Sequence, residues 1–456
     1  MKRSSEPSAP AGFTVSSAAA ALASGSLSSE EMTRLALARA QTPRASAVFT
    51  RLRTEKALHE ARACDELRSA GFTPSPIAGL PISVKDLFDI VGEPTSAGSA
   101  LLADSEPAPH DAAVIRRLRL SGAVLLGRTN MTELAYSGLG LNPHFGTPVN
   151  PCDTHCARIP GGSSSGAAVS VALGIVPAAI GSDTGGSVRI PASLCGLVGF
   201  KPTAARVPLQ GTVPLSASMD SIGPIARTVA CCAWLDDVLV AGTPEQTNTP
   251  FSEPYRIAVP QTLVCNELDE HTKRSIEAAM ERLSRAGVKL VELAVPEFLE
   301  IVELNAQGGI QAAEAYAAHR KLLDDSADRI DPRVRVRLER GRHITAAAYI
   351  DGVRGRKDIQ RRLADRMRDV HFWLMPTVPQ IAPPIETLAT DSDYFSMNAR
   401  MLRNTSLVNF LDGCAISIPC HDPGTLPVGL SLVAAPFMDH QLLAAAARVE
   451  AVLSPR

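Results

Sequence analysis

Two short runs crowd hydroxyl groups between glycines: GGSSSG at residues 161–166 and GSDTGGS at residues 181–187. Glycine accepts backbone angles that a Cβ forbids, so such loops can turn several N–H groups toward one spot. That spot could cradle a phosphate at a helix start, or hold the oxyanion of an acyl-transfer intermediate beside a nucleophilic serine. Neither cluster ends in the lysine of GxxxxGK[ST], which lowers the phosphate reading. The nucleophile elbow GxSxG is missing too, since Ser187 stands in GGSVR and Ser164 in SSSGA.

A lone serine is a poor nucleophile and needs a base. Ten histidines are present, and none sits in a glycine-framed or apolar turn that marks it out. The best candidate is a lysine. In AGLPISVKDLFDI, Lys85 follows the strand-like Pro81–Val84 and precedes Leu87 and Phe88, where a surface lysine would be out of place. The plain alternative is an edge residue paired with a neighbour such as Asp86.

Together these motifs resemble the amidase signature family, whose members use a Ser-cisSer-Lys triad. The matching blocks are ISVKD around Lys85, GRTNMTELA (127–135), PGGSSSG (160–166), GSDTGGSVRIPASLCGLVGFKPT (181–203) and MDSIGPIARTV (219–229). LMPTVPQIAPP near Pro376 and LPVGLSLVA near Gly429 extend the likeness, which spans roughly residues 14–455. The resemblance implies Ser187 as acyl nucleophile, Ser163 as bridging serine and Lys85 as base. The interval of 24 residues from Ser163 to Ser187 agrees with the family's arrangement, so the resemblance points to Ser163 rather than Ser164 or Ser165. It also implies a cis peptide at Gly162–Ser163, and an oxyanion hole built from the amides of Thr184, Gly185, Gly186 and Ser187. Ala135, Tyr136 and Ser163 are the expected substrate contacts, although Ala135 and Tyr136 could equally be packing residues. Arg189 either binds a substrate carboxylate or pairs with Asp183, the duller use. Tyr316 and His319, about one helical turn apart, could face the acyl pocket.

The chemistry sets a demand. Lysine ordinarily titrates near 10.4, so a neutral base requires its charged form to be destabilised. A shift to roughly 7 is about 4 kcal/mol, which burial among apolar groups can supply. Asp86, adjacent in sequence, must then point elsewhere or hold another partner.

These groups must be positioned by regular elements. The uncharged segment between the two clusters reads as a tightly packed helix, with Ala167, Ala168, Ala172 and Gly174 on it, then a short buried strand Pro177–Gly181. Upstream, Asp111 to Gly122 reads as a helix with Val114, Ile115 and Leu118 on one face, followed by a strand Ala123–Leu126. Residues 14–41 give two helices broken at Gly25, the second capped by Ser28 or Ser29 before Glu30 and Glu31. YRIAVP, a helix carrying Ile276, Met280 and Leu283, a stop at Gly287 and VKLVEL form another strand–helix–strand unit. Alternating strands and helices imply an α/β fold, with a mixed central β-sheet covered on both faces by helices. Residues 1–456 read as one amidase domain: a signature core at about 70–230, a helical, Arg-rich and variable segment at 296–370, and a return to the core over 371–456. The arginines of that segment alternate with acids and read as a solvated face or subunit contact rather than a nucleic-acid surface.

Composition narrows the class. At 456 residues and 45% hydrophobic, the chain can bury a large core, and a net charge of -2 implies no polyanion partner. The nine cysteines include no CxxC pair, and Cys152, His155 and Cys156 lack a second ligand pair for zinc, so neither a disulfide framework nor a metal is expected. The start, MKRSSEPSAPAGFTVSS, reads as a short disordered segment rather than a signal peptide, and no stretch is apolar enough to span a membrane. The expectation is a cytoplasmic amidase that hydrolyses a small-molecule carboxylic amide without cofactor. The alternative is the A subunit of a tRNA-dependent amidotransferase, with nucleic acid nearby only in that case. A homodimer stays open. A catalytically dead scaffold is disfavoured by the intact Lys85, Ser163 and Ser187.

Overall fold

Along the central strands, successive side chains feed two different cores. The computed structural model, which describes residues 13–240 and 255–454, puts eleven strands into one sheet among those residues. They are β1 (Phe49–Leu52), β2 (Pro81–Lys85), β3 (Val124–Thr129), β4 (Ala178–Asp183), β5 (Val198–Lys201), β6 (Ser221–Ala226), β7 (Arg256–Pro260), β8 (Lys289–Leu293), β9 (Phe372–Pro376), β10 (Cys414–Pro419) and β11 (Gly429–Ala434). Their order across the sheet is β1-β3-β2-β4-β6-β5-β10-β11-β9-β7-β8. β2 lies parallel between β3 and β4, whereas β4, β6, β5, β10, β11 and β9 run antiparallel in turn. The sheet is therefore mixed, as the alternation of elements implies.

Ile82, Val84, Leu125, Ile180 and Ile222 point to one face, under the helices Ala113–Leu120, Val229–Leu239 and Asp439–Leu453. Leu126, Ala179 and Ile225 point to the other, under Ser29–Ala40 and Ser165–Ala172. With both faces covered, the strands carry apolar residues at consecutive positions instead of alternating with polar ones. The helix boundaries follow local signals. Gly25 ends the first helix in the left-handed region (φ 70), and Ser28 with Glu31 forms a capping box on the second. The apolar stretch 409–419 divides at Asp412, also left-handed (φ 58), into the end of helix Thr405–Leu411 and the strand β10. The segment 296–370 forms four α-helices, Glu297–Leu304, Gly309–Ser326, Pro332–Arg342 and Ala346–Arg366, with a short 3-10 helix at Ala327–Arg329. The reading of the extreme N-terminus as an unstructured start lies largely outside the described residues. Among those residues, no helix is long and apolar enough to cross a membrane.

Three strands run further than their apolar residues suggest. β2 includes Lys85, β3 continues through Gly127, Arg128 and Thr129, and β4 reaches Ser182 and Asp183. Each extension is buried, and each carries side chains of the candidate site or its support.

A glycine pair lets the middle of the sheet close on that site. Gly181 of β4 pairs with Gly223 of β6. A Cβ on Gly181 would lie 2.6 Å from Ser164 Oγ, and one on Gly223 would lie 1.9 Å from the Phe200 carbonyl oxygen. Backbone cannot yield as a flexible side chain would. We expect Gly223→Ala to cost about 3 kcal/mol of stability through overpacking, read as a lowered urea midpoint with unchanged slope. An unchanged midpoint would show that β5 and β6 separate freely.

Candidate active site

The end of β2 delivers Lys85 into a fully buried position. Its Nζ lies 2.7 Å from Ser163 Oγ and 2.8 Å from Ser182 Oγ, with the Ser182 carbonyl oxygen at 3.5 Å. Burial pulls its pKa down to about 7, against the opposing charges of Asp183 and Asp220. This is the shift that a lysine base requires. Asp86 does not interfere, because its carboxylate turns to Arg128 Nη1 (3.2 Å), Thr50 Oγ1 (2.8 Å) and Ser96 Oγ. Arg128 in turn reaches Glu93 (3.3 Å), which also meets Arg53 (3.0 Å).

A second buried lysine sharpens the comparison. Lys201 Nζ donates to the carbonyls of Pro202 and Gly413, both at 2.8 Å. Carbonyls only accept, so they give a neutral amine no proton to take. The hydroxyl beside Lys85 can both give and accept one.

Ser163 precedes the helix Ser165–Ala172, and the Gly162–Ser163 peptide is cis. Its loop is tied to neighbouring chain by Thr132 N donating to Ser163 O (3.2 Å) and Gly162 N donating to Gly138 O (2.8 Å). Ser187 lies between β4 and the helix Arg189–Leu194. Backbone brings the two serines together: Ser164 N donates to Ser187 O at 3.2 Å. The side chain of Ser187 is nearly buried, with 4% of the residue exposed.

The loop that carries Ser187 is strapped at every residue before it. Thr184 Oγ1 donates to Asp220, and Thr405 Oγ1 donates to Gly185 O at 2.6 Å. Gly186 N donates to Asp183 Oδ1 at 2.8 Å and Val188 N to Asp183 Oδ2 at 3.1 Å. The Gly186 amide, one of the four expected oxyanion donors, is thus already bonded to Asp183. Its φ of +127°, with Thr405 Oγ1 2.1 Å from where a Cβ would stand, is the place where the loop needs glycine, whereas Gly185 has an ordinary φ.

Arg189 follows the duller expectation. Its Nε and Nη2 meet the two carboxylate oxygens of Asp183 at 3.0 and 2.9 Å, and Nη2 also donates to Asn409 Oδ1 (2.6 Å) and Thr405 O (3.0 Å). Burial pushes the Asp183 carboxyl up, but the charge and hydrogen bonds of Arg189 outweigh it and hold it well below the usual carboxylate range. Asp220 is different. Burial raises it to about 6, against hydrogen bonds from Thr184, Leu215 and Ser216.

Ala135 and Tyr136 are buried in the loop beside Ser163, and Leu134 and Ala135 both take positive φ (50 and 59). The helix Pro332–Arg342 covers them: Arg337 donates to Tyr136 O, with its guanidinium carbon 4.2 Å from the Tyr136 ring centroid. His319 and Tyr316 are tied elsewhere. His319 Nε2 is 2.8 Å from Pro214 O, and Arg342 stacks on the Tyr316 ring.

Sequence reasoning does not single out Ser182, Asp220 or Arg337. Ser182 and Asp220 stand inside blocks that read as motifs, and their roles emerge only from three-dimensional contact. Arg337 is one arginine among many in an arginine-rich segment.

A fold of this kind around a buried lysine and two serines defines an amide-hydrolase class, and the chain belongs to the Amidase family, matched over residues 31–443. It is 36% identical over 409 residues to 2-amino-5-chloromuconic acid deaminase of Comamonas testosteroni, covering 87% of each chain. It is 35% identical over 467 residues to the A subunit of the glutamyl-tRNA(Gln) amidotransferase of Chloroflexus aggregans, covering 94% of each. Among solved structures, that of an amidase superposes with a TM-score of 0.87 at 32% identity, over 97% of this chain and 100% of the other.

The ion pair inside the loop is open to test. Arg189→Met leaves the Asp183 carboxylate buried without its counter-charge, which costs about 3–5 kcal/mol. We expect a large drop in urea midpoint together with loss of activity. A stable Arg189→Met protein with only a raised KM would favour the substrate-carboxylate role instead.

Proposed function

We propose that this protein hydrolyses a linear carboxylic amide to carboxylate and ammonia or amine, through an acyl-enzyme on Ser187. The observation that carries the proposal is the buried Lys85 amine, 2.7 Å from Ser163 Oγ and with its pKa drawn to about 7. A neutral amine has two N–H donors and one lone pair. Ser182 Oγ and O can take the donors, and the lone pair accepts the Ser163 O–H. As Ser187 Oγ attacks the amide carbonyl, its proton passes to Ser163 and that of Ser163 passes to Lys85.

The amides of Thr184, Gly185 and Ser187 stabilise the oxyanion, with Asp220 and Thr405 fixing the loop that bears them. Collapse breaks the C–N bond, and the proton returns from Lys85 through Ser163 to the leaving nitrogen. Water then attacks the acyl carbonyl by the same relay, releasing the carboxylate and restoring Ser187. No cofactor enters these steps.

A second reading, as the A subunit of a tRNA-dependent amidotransferase, is favoured by the near full-length likeness to such proteins. It would require further subunits, so hydrolysis by the purified chain alone argues for the free-standing amidase. The nine cysteines are all unpaired thiols, which supports a cytoplasmic location.

The base assignment fixes a pH dependence. Lys85 must be neutral, so kcat/KM should rise with pH through an inflection near 7 and level off above it. The folded protein holds fewer protons on Lys85 than the unfolded chain between about 7 and 10.5, so this group destabilises the fold at neutral pH and less so as pH rises. We therefore expect Lys85→Met to abolish amide hydrolysis while raising the thermal midpoint at pH 7. A fluorophosphonate should label Ser187 in the wild-type protein. Absence of labelling in folded protein, together with no cleavage across a broad amide panel, would end the amidase reading.

A further inference from the structure

The helix Pro332–Arg342 carries arginines whose charges are mostly answered. Arg333 Nε meets Asp391 Oδ1 at 2.9 Å, Arg335 lies 3.9 Å from Glu339, and Arg342 is 3.1 Å from Asp324. Arg340 is exposed to water. Arg337 is the exception. It lies deep enough for burial to lower its pKa, and the charged and titratable groups acting on it are Tyr136, Tyr394 and Arg340, with no carboxylate of the described residues among them. Its one hydrogen-bond acceptor among those residues is the Tyr136 carbonyl, reached through Nη1. Guanidinium offers five N–H donors in a planar fork, so the Nε and Nη2 edge is left without an acceptor among the described residues. The residue is only partly buried, and neither Nε nor Nη2 is among the fully buried polar atoms that lack a partner, so solvent reaches that edge.

Stacking on Tyr136 fixes the plane of the fork but does not neutralise its charge. A desolvated cation without a counter-ion is unfavourable unless a ligand completes it. Backbone hydrogen bonds link the loop beneath this cation to the segment of the bridging serine. Tyr136 is two residues from Gly138, whose carbonyl accepts from Gly162 N beside Ser163. Asp331 N, at the start of the same helix, donates to Glu133 Oε2 at 2.7 Å, so the helix is pinned to this loop at both Glu133 and Tyr136.

We propose that the substrate is an acid amide, bearing a carboxylate remote from the scissile amide, and that the Nε–Nη2 edge of Arg337 receives that carboxylate as a two-pronged hydrogen-bonded pair. This rests on the amidase reading above and names the substrate class for the same site. Arg337 is then a specificity residue supplied by the helical segment, separate from the Lys85–Ser163–Ser187 group.

The test compares matched amides. Succinamate, glutaramate and adipamate scan the distance between amide and carboxylate, and each is paired with the neutral amide in which an acetyl group replaces the carboxylate. For the best chain length, we expect the wild-type protein to favour the anion in kcat/KM by about 10- to 100-fold, the usual strength of a charge-assisted pair. In Arg337→Met this ratio should fall to about 1, and Arg337→Lys should restore part of it, since a point charge replaces a fork. The ratio is the readout because general damage to the pocket through Tyr136 lowers both substrates together. A wild-type protein indifferent to the charge, or a preference unchanged in Arg337→Met, overturns this inference and leaves the amidase standing. No turnover of any amide, with no fluorophosphonate labelling of Ser187, removes the amidase reading and this inference with it.

Discussion

Keeping one amine uncharged inside the protein is the constraint around which the rest is arranged. Lys85 is fully buried, and every carboxylate near it tends to restore its proton. Three aspartates could do so, and each is handled differently. Asp86, next in sequence, is turned onto Arg128. Asp183 is matched by Arg189 in a two-point pair. Asp220 is itself desolvated and raised to about 6, so that near neutral pH part of its charge is already lost. Burial shifts a lysine toward neutrality when it outweighs the nearby negative charge, and here it outweighs what Asp183 and Asp220 contribute.

The same pairs that protect Lys85 also shape the loop of Ser187. Asp183 accepts from Arg189 and from the amides of Gly186 and Val188, so one carboxylate sets both the local electrostatics and the direction of the backbone. The Gly186 amide is thereby held by that carboxylate. What the loop gains is rigidity, since Asp220 and Thr405 hold Thr184 and Gly185, the residues that lead into the turn. Donors that are already oriented need no reorganisation as charge develops, which is the main route by which such a loop can speed acyl transfer.

Much of this is legible in the sequence, for identifiable reasons. The two glycine-framed hydroxyl clusters and a lysine among apolar residues stand out because they violate the ordinary pattern of a surface, whereas the choice of Ser163 and Ser187 within the clusters comes from the family resemblance. The helices at the N-terminus are readable from Gly25 and from the Ser28–Glu31 box, which act locally. Strand ends are not. Apolar runs suggest stops at Val84, Leu126 and Gly181, whereas the strands continue to Lys85, Thr129 and Asp183. Polarity is evidence against a buried strand only when the polar group lacks a partner, and Arg128, Lys85 and Asp183 find theirs on a loop, another strand and a helix. The orientation of the Gly186 amide is hidden for the same reason: Asp183 precedes it by three residues, and nothing in that spacing says which N–H the carboxylate will take.

Under the two proposals, chemistry and selectivity sit on different parts of the chain. The lysine, the serines and the amides of the loop come from the sheet and the short helices beside it, where both faces are covered and side chains have little freedom. The residues that cap the Tyr136 loop come from the helix Pro332–Arg342, whose charges are largely paired across the surface of the helical segment. Substitutions there can alter which acyl group is held without disturbing the balance of charge around Lys85, because Arg337 is not among the charges that shift the lysine. A fold built this way can change its substrate by changing a helix, provided that the buried amine is left alone.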